Sequence, residues 1–208
     1  TFNGSLLLLP KSCRLTEFTL EGISNIQGDF QCKDYSYVKE FVMPFIRVAG
    51  DMTIALNSGS VNTAAEIEFP KLQEIGGTLT LESNSNANNI AFPSLKKILG
   101  SCSVTTTDLK NDIEFTNLES IGTDGADAQI KFEIEATNIL CPKLKTINGK
   151  FDIATSSFMF DMEVDKVSYP NVESISENLS ITCPYSDFGS NGILSIDFSG
   201  LKSAKGIS

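Results

Sequence analysis

The chain has 208 residues, 41% of them hydrophobic, and a formal net charge of -10 at pH 7. That size suits one large domain with a real core, so a disordered chain is excluded, and the acidic balance argues against nucleic acid, whose binding rests on Lys and Arg neutralising phosphates. The sequence has no His and no Trp; without an imidazole there is no Ser-His-Asp triad and no His-ligated metal.

In chain order, the first apolar run is "SLLLLP" at residues 5–10. It is far shorter than the ~20 residues of a membrane span and follows no basic stretch, so it is read neither as a span nor as a signal peptide. A repeating frame then begins. From Leu20 the apolar residues are Ile23, Ile26, Phe30 and Cys32, with Gly28 between. From Met43 the frame returns with one residue deleted: Val48, Gly50, Met52, Ile54. From Phe69 it is complete, "FPKLQEIGGTLTL", with Leu72, Ile75, Gly77, Leu79 and Leu81. From Phe92, "FPSLKKILGSCSV" gives Leu95, Ile98, Gly100, Cys102 and Val104. From Phe115 come Leu118 and Ile121, then an insertion "TDGADA" before Ile130, Phe132 and Ile134. From Cys141, "CPKLKTINGKFDI" gives Leu144, Ile147, Gly149, Phe151 and Ile153. From Tyr169 come Val172, Ile175, Leu179 and Ile181; from Phe198 only Leu201, Ala204 and Gly206.

With the first residue of each copy as position 0, apolar residues hold 0, +3, +6, +10 and +12, and Gly holds +8. Position -2 is apolar in every copy: Phe18, Phe41, Ile67, Ile90, Ile113, Ile139, Val167, Ile196. Each repeat therefore holds two short alternating segments, at -2/0 and +10/+12, and alternation marks a strand with one buried face. Pro at +1 in several copies ends the first strand, since it has no N–H to give a ladder. Gly at +8 is expected to supply backbone freedom for the next turn. Starts near 20, 43, 69, 92, 115, 141, 169 and 198 give a period that means a solenoid, in which each turn buries the apolar face of its neighbour. The prediction is one domain over 1–208: a mainly β, right-handed parallel β-helix, a leucine-rich-repeat-like solenoid of about eight turns with two strands per turn. A sandwich of similar strands is the alternative, and eight copies of one frame argue against it.

The motif "FPxLxxIxGxLxI", at 69–81, 92–104, 141–153 and degenerately at 169–181, resembles that of the receptor L-domain family. The resemblance runs from about residue 15 to 208. It implies an L-domain-like solenoid and a ligand-binding role, as in the lobes of growth-factor and insulin receptors and in fungal wall and bacterial surface proteins. It brings no catalytic residues, because the motif consists of core positions. No dense cysteine module accompanies it here, which points to the microbial cell-surface type.

Candidate site residues lie in insertions after +12, at one corner of the coil, where a solenoid often binds. "ESNSNANN" at 82–89 offers Asn84, Asn86 and Asn88; the segments at 155–165 and 183–192 offer Phe158, Phe160, Tyr185 and Phe188. Amide and aromatic side chains together suit a peptide or a glycan; the rings equally suit a satellite core. Outward strand positions such as Thr78, Thr80, Ser101, Ser103, Lys150 and Asp152 form a polar face. Asp161, Glu163 and Asp165 alternate in "DMEVD", but no EF-hand loop surrounds them, so no metal is assigned. The five Cys are 13, 32, 102, 141 and 183, with no CxxC spacing. Cys102 and Cys141 occupy core positions and read as buried thiols; Cys32 is free or bridged to Cys13. Asn3 and Asn178 open glycosylation sequons.

The expected function is a non-catalytic, extracellular cell-surface module binding a protein or glycan, needing no cofactor and touching a membrane only through an anchor outside these residues. A structural wall component is the first alternative. A polysaccharide-active enzyme is the second, disfavoured because no carboxylate pair recurs on one outward rung. The last copy lacks its +10/+12 strand, so strand 179–182 is expected to be an open edge, covered by further chain, by the 183–192 loop, or by end-to-end self-association.

Overall fold

The computed structural model describes residues 1–8, 17–33, 40–56, 65–83, 87–106, 113–125, 128–134, 139–155, 166–182 and 195–208. Every strand ladder among them is parallel, and no helix among them is long and apolar enough to cross a membrane. The chain is a parallel β-solenoid with three faces. The first face stacks six strands, from Glu17–Thr19 to Ile139–Leu140; Lys166–Ser168 and Ser195–Asp197 hold the same repeat position but pair separately. The second stacks seven strands of two residues, from Asn25–Ile26 to Ser174–Ile175. The third stacks nine, from Leu6–Leu8 to Gly206–Ile207.

Two expectations are corrected here. There are three strands per turn, not two. The strand at +5/+6 is only two residues long and presents a single inward Ile or Val, so alternation cannot reveal it. The six strands of the first face make five steps, so about five turns close on all three faces, against the eight expected. The later turns join the long ladders on the other two faces, while on the first face Lys166–Ser168 pairs only with Ser195–Asp197.

The register explains the repeat. Met52, Leu79, Cys102, Ile130, Phe151 and Leu179 are direct partners in adjacent strands, and all are buried. Leu72, Leu95, Leu118 and Leu144 are buried at +3. At position 0 the rings stack face to face: Phe69 on Phe92 at 5.2 Å and 2°, and Phe92 on Phe115 at 5.0 Å and 11°. Ring stacking adds to the burial that drives folding.

Gly at +8 has a role beyond the one expected. Gly28, Gly50, Gly77 and Gly100 are not among the positive-φ glycines. Each donates its N–H to the glycine carbonyl one turn below, at 2.9–3.0 Å, starting from Gly4. A Cβ on Gly100 would lie 2.6 Å from the Gly77 carbonyl carbon. At these four positions glycine is needed because backbones meet, whereas Gly149, at +8 of the Cys141 copy, combines a close approach to the Ala128 carbonyl with a φ of 159°. Beside it, side chains extend the ladder: Asp29 N–H donates to Ser5 Oγ at 2.9 Å, Asp51 N–H to Asp29 Oδ1 at 2.9 Å, and Thr78 N–H to Asp51 Oδ1 at 2.7 Å.

The ends also differ from expectation. Leu6–Leu8, too short for a membrane span, is a strand of an additional turn, with Leu6 opposite Phe30 and Leu8 opposite Cys32. The edge of 178–182 is not open along its length: Gly206 and Ile207 pair with Asn178 and Leu179, and Ile181 N–H donates to Ser208 O at 2.9 Å. The final copy begins its second strand one residue early, after a shortened turn, which hid it from the frame.

On the second face, Lys96, Glu119, Lys145, Glu173 and Lys202 stack in sequence, each backbone N–H donating to the carbonyl one turn below. Opposite charges are thereby neighbours, and Lys202 Nζ meets Glu173 Oε2 at 2.7 Å. That hydrogen bond and charge, with Lys145 helping, lower the Glu173 pKa, against a smaller opposing effect of burial. Because the folded value is depressed, the pair stabilises the fold above the unfolded carboxylate pKa, and its contribution is lost as pH falls through the folded value. Both groups are exposed, so the effect is small. A carboxyl-carbon NMR titration is expected to place Glu173 below the ordinary glutamate range, and Lys202→Met to raise it. In urea unfolding, Leu95→Ala is expected to cost about 2–5 kcal/mol through a mid-stack cavity. Gly100→Ala is expected to cost about 1–3 kcal/mol by overpacking, though it adds only a methyl.

Candidate functional site

Six of the seven residues singled out from sequence, Asn84, Asn86, Phe158, Phe160, Tyr185 and Phe188, lie outside the described residues. So do Asp161, Glu163 and Asp165. Asn88, expected in a loop, lies in the strand Ala87–Ala91.

A different feature stands out on the first face. Met43, Phe69, Phe92, Phe115 and Tyr169 each donate their N–H to the -1 carbonyl of the next turn, at 2.8–3.2 Å. Among the described residues the corresponding bond from Cys141 to Ser168 is missing, and Ile139–Leu140 does not pair with Lys166–Ser168. The second and third faces stay paired across this point, Thr146 with Ser174 and Phe151 with Leu179. The wall is therefore opened on one side only. In the gap lies a cleft of about 320 Å³, lined by Glu114, Thr116, Leu140, Cys141, Pro142, Ser168, Pro170 and Asn171.

The cause lies at position 0. Cys141 replaces a phenylalanine, and the face-to-face stack stops at Phe115. Beyond it Phe132, Phe151 and Tyr169 pack edge-on or tilted, with Phe132–Phe151 at 5.2 Å and 88° and Phe151–Tyr169 at 5.5 Å and 73°. The buried Tyr169 hydroxyl needs a partner and donates to the Ile139 carbonyl at 3.0 Å. A side chain thus bridges the two turns where the ladder does not. On the corner side, Asn171 Nδ2 donates to Pro142 O at 2.8 Å.

The cleft lining mixes apolar and polar groups. Leu140, Pro142 and Pro170 offer carbon; Glu114, Thr116, Ser168 and Asn171 offer hydrogen-bonding groups. Burial raises the Cys141 thiol well above its usual pKa, with Cys102 adding to the shift, so it is a packing group and not a thiolate nucleophile. Burial likewise raises Tyr169, with Cys141 and then Cys102 contributing. Cys102 is pushed up to about 12 by burial, as expected of a core thiol. Cys32 is also free and buried, and its expected partner Cys13 lies outside the described residues. Among the described residues no group of three or more His, Cys, Asp or Glu could hold a metal ion.

Charge is unevenly shared among the faces. The third-face strands carry Lys33, Lys131 and Lys150 against Glu82, Glu133 and Asp152, and the second-face strands carry Arg47 and Lys97 against Glu74. Strands at the first-face position carry Glu17, Glu40, Glu66, Glu68, Glu114 and Asp197 against Lys166. Glu17, Glu40 and Glu66 are register partners. The cleft therefore opens on the acidic face. This partition is present in the sequence at positions -3 and -1, apart from the polar outward positions at +9 and +11.

The chain matches no protein-family model, no curated protein and no solved structure. Its solenoid architecture rests on its own ladders and core.

Removing the bridging hydroxyl in Tyr169→Phe leaves the Ile139 carbonyl without that donor. Chemical unfolding is expected to show a loss of about 1–3 kcal/mol, and hydrogen exchange is expected to rise first at 139–141 and 166–168.

Proposed function

We propose that the chain is a non-catalytic binding module of an extracellular cell surface, built like a receptor L-domain, that takes a protein or glycan ligand at the cleft on its first face. The observation that carries this reading is the local opening of an otherwise repetitive wall, with a mixed apolar and polar lining and continuous ladders on the two other faces. A stacked scaffold holds such an opening without reorganising, and preorganisation lowers the cost of binding. The cleft brings one carboxylate, Glu114, beside a thiol kept protonated by burial. That set offers hydrogen bonds and contact surface rather than an acid–base pair. The net charge of -10 suits a soluble, self-repelling protein.

The test compares the native chain with Leu140→Trp on peptide and glycan arrays. Leu140 lines the cleft and is half-buried, so an indole there fills it, and the chain's lack of Trp makes the new residue a fluorescent report on folding. At least one ligand class is expected to bind the native chain and be lost in the variant at unchanged thermal stability. Ligands indifferent to Leu140→Trp would place binding elsewhere. Release of reducing sugar from polysaccharides by the native chain would favour an enzyme instead.

A further inference from the structure

We infer that the ligand of this face is an extended, basic polypeptide segment that seats an apolar side chain in the cleft and lays Lys or Arg along the glutamates beside it. This inference rests on the cleft being a binding site and adds the chemistry of its occupant.

Two independent observations meet on one surface. The cleft offers apolar lining from Leu140, Pro142 and Pro170. The strands of the same face carry more acidic than basic residues, whereas those of the other two faces are close to balanced. Nearest the cleft, Glu114 is exposed and stands in the strand beside Leu140. Glu68 is half-buried and lies two strands further along, with Ala91 between them. All of these hold position -1 of their copies, so they form one line parallel to the solenoid axis.

The spacing suits an extended chain along that line. Three strand spacings of about 4.8 Å separate Leu140 from Glu68, roughly 14 Å, and four residues of extended chain at about 3.4 Å each cover the same distance. An apolar anchor at Leu140 then sets the residue two positions away near Glu114 and the one four positions away near Glu68. Side chains two and four apart share one side of an extended segment, so the anchor and both basic residues face the solenoid together. Long Lys and Arg stems lie on Ala91 while their heads reach the carboxylates.

The same charge disfavours other occupants. A second copy carries a net charge of -10 and would repel. Nucleic acid and anionic lipid carry the wrong sign. Opposing charge at such a surface speeds encounter and selects partners more than it adds raw affinity.

The experiment measures fluorescence anisotropy with three labelled peptides, each made in both chain directions. One carries Leu with Lys two and four positions to one side. The second has Gln for both Lys, and the third has Gly for Leu. Each is titrated into the native chain, Glu68→Gln/Glu114→Gln and Leu140→Trp. The Lys/Leu peptide is expected to bind the native chain at least about tenfold more tightly than the Gln peptide, as exposed charge pairs allow. That preference is expected to vanish in Glu68→Gln/Glu114→Gln. It is also expected to fade at 1 M salt, where screening shortens to about 3 Å from about 10 Å at 0.1 M. The Gly peptide and Leu140→Trp are expected to lose binding. If the Gln peptide binds as tightly and Leu140→Trp abolishes it, the cleft remains a binding site and the basic partner is wrong. If no peptide binds while an array glycan is lost in Leu140→Trp, the polypeptide occupant is overturned and the binding-module reading survives. Self-association relieved by Glu68→Gln/Glu114→Gln would overturn it in favour of a second copy.

Discussion

Everything in this molecule follows from a translation of about 4.8 Å, the spacing of hydrogen-bonded strands. Each turn must place its backbone on the turn below, and so each side chain meets its own counterpart. The tightest point is the Gly28, Gly50, Gly77 and Gly100 column, where backbones exchange hydrogen bonds at 2.9–3.0 Å and no Cβ fits. With that column fixed, the inward sites repeat: Leu72 lies in line with Leu95, and Leu79 on Cys102. Outward sites have no such constraint, and there the sequence varies.

The freedom left on the outside is used unevenly. The second face neutralises itself by alternating Lys and Glu from turn to turn, a solution available only because the stacking brings position +4 residues together. The third face mixes both signs with Thr and Ser. The first face keeps carboxylates in line. Glu68 and Glu114 thus share one line on this face, with Ala91 between them.

The cleft arises where the translation lapses on one side. Cys141 is too small to continue the phenylalanine stack, and Tyr169 brings a hydroxyl into the core that must find an acceptor. Its bond to the Ile139 carbonyl ties the two turns across the gap, while the two other faces carry the stack past it. A solenoid tolerates such a local defect because each turn depends only on its neighbours. The same property lets one turn acquire a binding feature without disturbing the rest.

By itself the sequence determined the solenoid, its frame and its inward residues, because a five-position apolar pattern repeated eight times has few other ways to bury itself. Cys102 and Cys141 were legible as core thiols for the same reason. The two-residue strand at +5/+6 was not, since one inward side chain makes no pattern. Nor were the outermost strands: Leu6–Leu8 lies in an incomplete turn, and Gly206–Ile207 sits one residue out of frame. The close approach at Gly28, Gly50, Gly77 and Gly100 was not legible either, because contact between turns is invisible along the chain; of the glycines at +8 only Gly149 shows the positive φ that backbone freedom implies. The cleft could be decided only in three dimensions. Cys141 and Tyr169 each fit the apolar frame, and whether a small side chain followed by a hydroxylated ring leaves the wall closed or open depends on how the rings around them repack.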